Sequence, residues 1–325
     1  MILITSIYKS LVGLRNFLYD KGFLSSYKSS IPVISVGNLT VGGTGKTPFV
    51  IHIANFLKKE DYNPLILTRG YKRSSSKQIL ISKGSKHKLK EIGDEAAVLN
   101  SSCPGVDILV NKNRVAAAQW AEKHSSKYSC IILDDGFQHR SLKRDCNILL
   151  INPAQNMSEF PPFGKLREPF QNSNRADVVV FTKNQPSKLL LDKISSLNIP
   201  VFNACYSFSS KPLFDINNKK SCLAFCGIEN PGFFYDSVSD MGIDLKQKLT
   251  FKDHQNYTAS VVDFIIQKMK KHNIRTFITT HKDWVKLPKS FLKAYEGHYI
   301  VMHVTAASSA PGMSFKEIIL NKVQV

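Results

Sequence analysis

The chain has 325 residues, 43% of them hydrophobic, with 44 Lys and Arg against 25 Asp and Glu. That length allows two folded domains, and the formal charge of +19 points to an anionic partner such as nucleic acid, an acidic membrane surface or a phosphorylated substrate. The six cysteines form no CxxC pair or zinc spacing and read as core thiols of a reducing compartment, and no apolar run reaches the roughly 18 residues of a spanning helix.

At the start of the chain, Ile4, Ile7, Leu11, Leu14 and Leu18 recur at helical steps, with Tyr8 and Phe17 beside them and Lys9, Arg15 and Lys21 elsewhere on the wheel. Residues 1–24 therefore read as a basic amphipathic helix, suited to docking on a membrane interface or to packing on the domain. Lys9 and Arg15 interrupt the continuous apolar core that a secretory signal needs. An apolar strand, Ile31 to Val36, then runs into Gly-Asn-Leu-Thr-Val-Gly-Gly-Thr-Gly-Lys-Thr-Pro, ending at Pro48. This is a phosphate-binding loop between a strand and a helix. Gly42, Gly43 and Gly45 let backbone N–H groups face an anion, Lys46 reaches the β- and γ-phosphates, and the Thr47 hydroxyl can hold Mg²⁺. Thr40 stands where the strict pattern has glycine, and Thr44 lies between the glycines.

Apolar strand-like runs follow at Pro64 to Thr68, Val106 to Val110, Cys130 to Leu133, Asn147 to Ile151, Asp177 to Phe181 and Pro200 to Phe202, with helical patterns between them at Thr47 to Lys58, Asp94 to Asn100 and Lys112 to His124. The alternation predicts a mostly parallel sheet flanked by helices, of the P-loop NTPase kind, over residues 25–205. The basic stretch 72–90 reads as a solvated loop or hairpin, or as a flap facing an anion. Asp94 opens a helix and on local grounds is its cap. Asp134 and Asp135 end an apolar strand, where a phosphate-loop protein places the acid that supports Mg²⁺. Residues 206–220, rich in Ser, Lys and Asn, read as a linker to a smaller α/β domain over 221–325. That domain has strands at Ser221 to Cys226, Thr276 to Thr279 and His298 to His303 and a helix at Thr258 to Lys271, and His254 lies in one of its loops.

Taken together, the phosphate loop, Thr68-Arg-Gly-Tyr71, Gly93-Asp-Glu95, Asp134-Asp-Gly-Phe-Gln-His139, Leu166-Arg-Glu-Pro169, Phe225-Cys-Gly-Ile-Glu-Asn-Pro231, Phe251-Lys-Asp-His254 and Lys282-Asp-Trp-Val-Lys-Leu287 resemble the tetraacyldisaccharide 4′-kinases across nearly the whole chain. The resemblance implies ATP-dependent, Mg²⁺-assisted phosphorylation of a lipid A disaccharide 1-phosphate precursor by a peripheral enzyme at the cytoplasmic face of a bacterial inner membrane. No nucleic-acid partner and no obligate protein partner are expected. It makes Asp94 the proton acceptor, His254 its partner and Arg167 a stabiliser of phosphate charge, with Asp134 and Asp135 at the metal and Gln138 and His139 of second rank. Lys46 and Thr47 bind phosphate and Mg²⁺, and Thr40, Gly42, Gly43, Thr44 and Gly45 complete the nucleotide loop. The chain departs from the family pattern at Lys72, Ala96 and His281. A partitioning-type ATPase shares the glycine-rich loop but carries a lysine before the glycine pair, where this chain has Val41.

Overall fold

Short apolar strands that alternate with amphipathic helices bury both faces of a sheet when the strands run parallel and the helices cover them. The chain does this in two units. The computed structural model describes residues 2–155, 159–213, 221–308 and 312–324. One unit takes residues 1–92, 99–205 and 304–325, the other 93–98 and 206–303.

The first unit holds β1 (Val33–Asn38), β2 (Pro64–Thr68), β3 (Ile79–Ile81), β4 (Asp107–Val110), β5 (Cys130–Asp134), β6 (Cys146–Ile151), β7 (Val178–Phe181) and the start of β8 (Val201–Lys211). Their order is β8-β7-β6-β1-β5-β2-β4-β3. Neighbouring strands from β8 to β4 in this order run parallel, and β3 runs against β4. The helices are α1 (Ile2–Asp20), α2 (Lys46–Lys59), α3 (Leu89–Ile92), α5 (Arg114–Glu122) and α6 (Lys188–Ser195), together with the last residues, from 99 on, of α4 (Asp94–Ser102). Ala117, Ala118 and Ala121 of α5 let that helix lie close against Leu65, Leu67, Ile131 and Leu133. On another core, Phe137, Leu149, Val179 and Phe181 meet Leu190 and Ile194 of α6.

In the second unit β9 (Cys222–Cys226), β10 (Leu245–Thr250), β11 (Thr276–Thr280) and β12 (Glu296–Ser308) stand in the order β10-β9-β11-β12. Its helices are α7 (Pro231–Asp240), α8 (Ala259–Lys271), α9 (His281–Trp284) and α10 (Lys289–Ala294). Phe225 and Phe277 pack with Val262, Ile265 and Met269 of α8, while Ala224 and Ile278 meet Phe234 and Val238 of α7. The last helix, α11 (Phe315–Val323), returns to the first unit, where Phe315 meets Phe49 and Phe202 with ring centroids 6.3 and 5.5 Å apart.

Three boundaries differ from the sequence reading. The expected linker from 206 is strand as far as Lys211, a half-buried strand in which Ser207 and Lys211 are exposed while Ser210 is buried, so its polar composition reads as loop; residues 214–220 of that linker lie outside the described residues. Residues 304–325, expected in the C-terminal domain, group with the first unit through Phe315, and residues 93–98 group with the second. Strand β10 went unpredicted because every second residue of Leu-Lys-Gln-Lys-Leu-Thr is exposed.

Helix α1 forms where its apolar spacing predicts, and the Ile4 side chain of that stripe lies outside the described residues. Its inner side is polar: Tyr8 Oη donates to the Arg167 carbonyl at 3.0 Å and Asn16 Nδ2 to Glu168 at 3.1 Å. The outer side exposes Ile7, Leu11, Leu14 and Phe17, each more than half accessible.

Asp283, fully buried, accepts from the Gly227 N–H at 2.9 Å and the Thr280 hydroxyl at 2.7 Å and pairs with buried Lys286 at 2.9 Å. Asp283→Ala leaves an ammonium and an amide without their acceptor, and should cost about 3–5 kcal/mol of stability in urea unfolding; a loss below about 1 kcal/mol would show that the pair is dispensable.

Candidate active site

The first site grows from the carboxyl end of β1. Gly45 takes a left-handed conformation (φ 85°) immediately before α2, and Gly42 also has positive φ (116°), so the loop turns in a way that side-chain-bearing residues resist. The helix therefore begins at Lys46 with its unpaired N–H groups directed at the loop, the geometry that receives phosphate. Thr40 is fixed by an antiparallel bridge to Leu166 and by its hydroxyl on Gln155, and Lys183 donates to the Gly43 carbonyl at 2.6 Å. The Thr44 hydroxyl is buried with no hydrogen-bond partner.

Lys46 Nζ lies 3.2 Å from Asn38 Oδ1 and 3.5 Å from Asp135 Oδ1. Arg167 Nη1 reaches both oxygens of Asp135 at 2.8 and 2.9 Å and Gln138 Oε1 at 3.1 Å. Asp135 is itself left-handed (φ 53°), which turns its side chain away from the direction of Asp134. Burial pulls the Asp135 carboxyl up, but the charges of Lys46 and Arg167 outweigh it and hold the group below the usual carboxylate range. Asp134, beside Val36 in the β1–β5 register, accepts from the Thr68 hydroxyl at 3.0 Å. Thr47, Asp134 and Asp135 are hard oxygen donors at neighbouring strand and helix ends, a set that fits Mg²⁺.

The second site lies in the second unit. Asp94 begins α4 and is nearly buried, 9% exposed; its Oδ1 accepts from the Glu95 N–H at 3.0 Å and its Oδ2 faces His254 Nδ1 at 2.9 Å. His254 has positive φ (61°), and its N–H donates to the Gly227 carbonyl at 3.1 Å. A Cβ on Gly227 would stand 2.8 Å from Gln255 Cβ and 2.9 Å from the Lys252 carbonyl, so only glycine fits there. Lys282 Nζ lies 3.2 Å from His254 Nε2. For Asp94, burial pulls the pKa up, while the His254 hydrogen bond and the Lys282 charge outweigh it and leave it lowered.

Asp94 and His254, 160 positions apart in sequence, are thus in contact, and Lys46, Asp135, Arg167 and Gln138 form one network. His139 stands outside that network, with Nε2 3.1 Å from the Ser141 hydroxyl. Burial, then the charges of Arg114, Arg144, Arg15 and Arg69, push its pKa down to about 4. Sequence reasoning missed Asn38, Glu168 and Lys282, although all three sit inside the motifs quoted above. His281, the departure from the family pattern, stacks on Tyr299 at 4.4 Å.

The model of the family described as tetraacyldisaccharide-1-P 4′-kinase matches residues 1–324. The chain belongs to that family. It is therefore an ATP-dependent kinase of lipid A biosynthesis that acts on the disaccharide 1-phosphate precursor. The tetraacyldisaccharide 4′-kinase of Pelodictyon phaeoclathratiforme is 36% identical over 303 residues, covering 86% of this chain and 84% of that protein. The one from Aquifex aeolicus is 37% identical over 288 residues, covering 86% and 87%. The crystal structure of LpxK from Aquifex aeolicus in complex with ATP superposes with a TM-score of 0.79 at 31% identity, covering 99% of this chain and 98% of that one.

An acid sensitivity of folding is expected from two histidines. His139 and His281 are both held near 4, below the ordinary 6.5, by burial first and then by neighbouring cations. The unfolded chain therefore binds these two protons more readily, so stability is intact above about pH 6.5 and is lost as pH falls from there towards 4. The melting temperature should decline through that window, and the double variant His139→Gln, His281→Gln should flatten the decline; an unchanged slope would remove these histidines from the linkage.

Proposed function

We propose that Asp94 takes the proton of the sugar 4′-hydroxyl while Lys46 and Arg167 neutralise the phosphoryl group being transferred from ATP. The observation that carries this reading is the Asp94–His254 contact at 2.9 Å, which pairs a nearly buried carboxylate held ionised with an imidazole that orients it. As the proton moves to Asp94, the hydroxyl oxygen bonds to the γ-phosphorus and the bond from that phosphorus to the bridging β–γ oxygen breaks, releasing ADP. Lys46 and the N-terminus of α2 hold the β- and γ-phosphates, and Arg167, now steadied by Asp135 and Gln138, meets charge on the transferring group. Thr47 with Asp134 or Asp135 would hold Mg²⁺, which when bound supplies further neutralisation of phosphate charge. Gln138 also donates to the Asn38 carbonyl at 2.7 Å, and so supports the loop from beneath.

The second part of the proposal concerns place. No helix among the described residues is long and apolar enough to cross a membrane. The exposed Ile7, Leu11, Leu14 and Phe17 of α1, continued by Phe23, form an apolar stripe on a chain of charge +19. Arg140, Lys143, Arg144 and Arg175, with Asp177, line a cavity of about 260 Å³; Arg140 pairs with Asp20 and Arg175 with Glu168, and Arg140 donates to the Asn16 carbonyl in the last part of α1 at 3.0 Å. Apolar burial combined with cationic attraction is the requirement for docking on an anionic bilayer. The occupant of the α1 stripe is thus the cytoplasmic face of the inner membrane, where the lipid substrate resides.

Transfer of ³²P from γ-labelled ATP to tetraacyldisaccharide 1-phosphate in detergent micelles tests the first part. Asp94→Ala should lower turnover by about 10² or more with ATP binding nearly intact, and Lys46→Ala should abolish transfer. Unchanged turnover in Asp94→Ala would return that residue to the role of helix cap. Removing residues 1–21 should release the kinase from anionic vesicles, and a truncated protein that still sediments with them would refute the docking assignment.

A further inference from the structure

Lys282 has no part in the chemistry described so far, yet its ammonium lies against the far nitrogen of the imidazole that contacts Asp94. We propose that Lys282 is a positioning residue that fixes the tautomer of His254 and thereby keeps Asp94 a proton acceptor. The proposal rests on the reading of Asp94 as the base and adds what sets the state of that base.

The argument follows from which groups can donate. A lysine ammonium has only donors, so the 3.2 Å approach of Lys282 Nζ to His254 Nε2 requires a lone pair on Nε2. A neutral imidazole that accepts at Nε2 carries its proton on Nδ1, and that N–H points at Asp94 Oδ2, 2.9 Å away. The opposite tautomer would set an Nε2–H against the ammonium and a lone pair against the carboxylate. An imidazolium would likewise face Lys282 with an N–H. The chain of donors therefore runs from Lys282 through His254 to Asp94, and Asp94 receives a hydrogen bond without receiving the proton.

The other charges around this chain agree with that direction. Asp253 Oδ2 is 3.8 Å from Nε2, beyond hydrogen-bonding reach, while Asp253 Oδ1 lies 3.5 Å from Lys282 Nζ, an acceptor for that ammonium. Lys286 adds positive potential at Asp94 but is paired with Asp283. Asp283 in turn accepts from the Gly227 N–H, and the Gly227 carbonyl accepts from the His254 N–H. The backbone that carries His254 and the short helix α9 that carries Lys282 are thus tied to one buried carboxylate. Without Lys282 no ammonium requires a lone pair on Nε2, so the ring is no longer held to one tautomer and Asp94 is no longer assured an Nδ1–H donor.

The test uses the full chain labelled with ¹⁵N, recording two-bond ¹H–¹⁵N spectra of its imidazoles at about pH 7.5, with His254 assigned by its loss in His254→Gln. The expected pattern is a protonated Nδ1 and a bare Nε2. In Lys282→Met that pattern should give way to a mixed or doubly protonated ring, with kcat down about tenfold near pH 7, within about twofold of the parent near pH 9, and its acidic limb displaced upward by about one pH unit. Lys282→Arg should restore the parent pattern and limb. An Nε2–H tautomer or an imidazolium in the parent chain overturns the proposal, whatever the variants do. So does Lys282→Met that keeps the parent tautomer while losing activity equally at all pH. Asp94→Asn assayed alongside separates the two readings: full turnover in that variant refutes the base assignment, whereas the spectra judge Lys282 independently of turnover.

Discussion

A carboxylate with no access to water must be given donors from every side, and this chain depends on two of them. Glu168 and Asp283 are both fully buried. Glu168 accepts from Asn16 at 3.1 Å, Gln138 at 2.9 Å, Asn172 at 2.8 Å and Arg175 at 2.5 Å. Asp283 accepts from Gly227 and Thr280 and pairs with Lys286. Desolvation makes each intolerant of a missing partner, so the segments that bring those partners are held to one arrangement. Neither carboxylate touches the reaction in the proposed mechanism. Each is adjacent in sequence to a residue with a proposed role at the site: Arg167, beside Glu168, on the transferring phosphoryl group, and Lys282, beside Asp283, in positioning His254.

The same economy of charge governs the phosphate loop. Lys46 and Arg167 would repel each other without an anion near both, and Asp135 lies within 3.5 Å of Lys46 and 2.8 Å of Arg167. The left-handed backbone at Asp135 is the local strain accepted for that placement. A phosphate entering this loop finds two cations already oriented, with less rearrangement to perform as charge develops on the transferring group. His254, also left-handed, is a second position where an unfavourable backbone conformation aims a side chain of the proposed site. Its strain is supported by Gly227, whose missing Cβ leaves room for the loop around Gln255.

Parallel strands buried on both faces are legible because they read as uninterrupted apolar runs, and β2, β5, β6, β7 and β9 came out within a residue or two of expectation. Strands whose polar residues alternate outward were less legible: β10 and the second half of β8 look like loops by composition. The turn of the glycine-rich loop into α2 was legible, since glycine spacing and the following lysine are local requirements. Asp94 with His254 was not, because a pair 160 residues apart leaves no local trace, and each residue alone has an adequate local reading as a cap or a loop histidine. Only the family resemblance drew attention to them. Glu168 and Asp283 were hidden for a related reason: sequence shows an acid beside a motif, whereas its importance comes from the absence of water around it.

The helix proposed to meet the bilayer is not an appendage to this arrangement. Tyr8 of α1 holds the carbonyl of Arg167, and Asn16, two turns further on, holds Glu168. Both contacts fall on the polar side of α1, leaving the apolar side chains of Ile7, Leu11, Leu14 and Phe17 outward. A helix with one side bonded to the segment carrying Arg167 cannot tilt on a membrane without drawing on that segment. The proposed docking at the membrane and the placement of Arg167 therefore share the same two hydrogen bonds. For a kinase whose acceptor sits in a lipid layer, the proposed docking would through this coupling set the height of the phosphate site relative to the headgroups, a constraint that a flexible tether to the same surface would not supply.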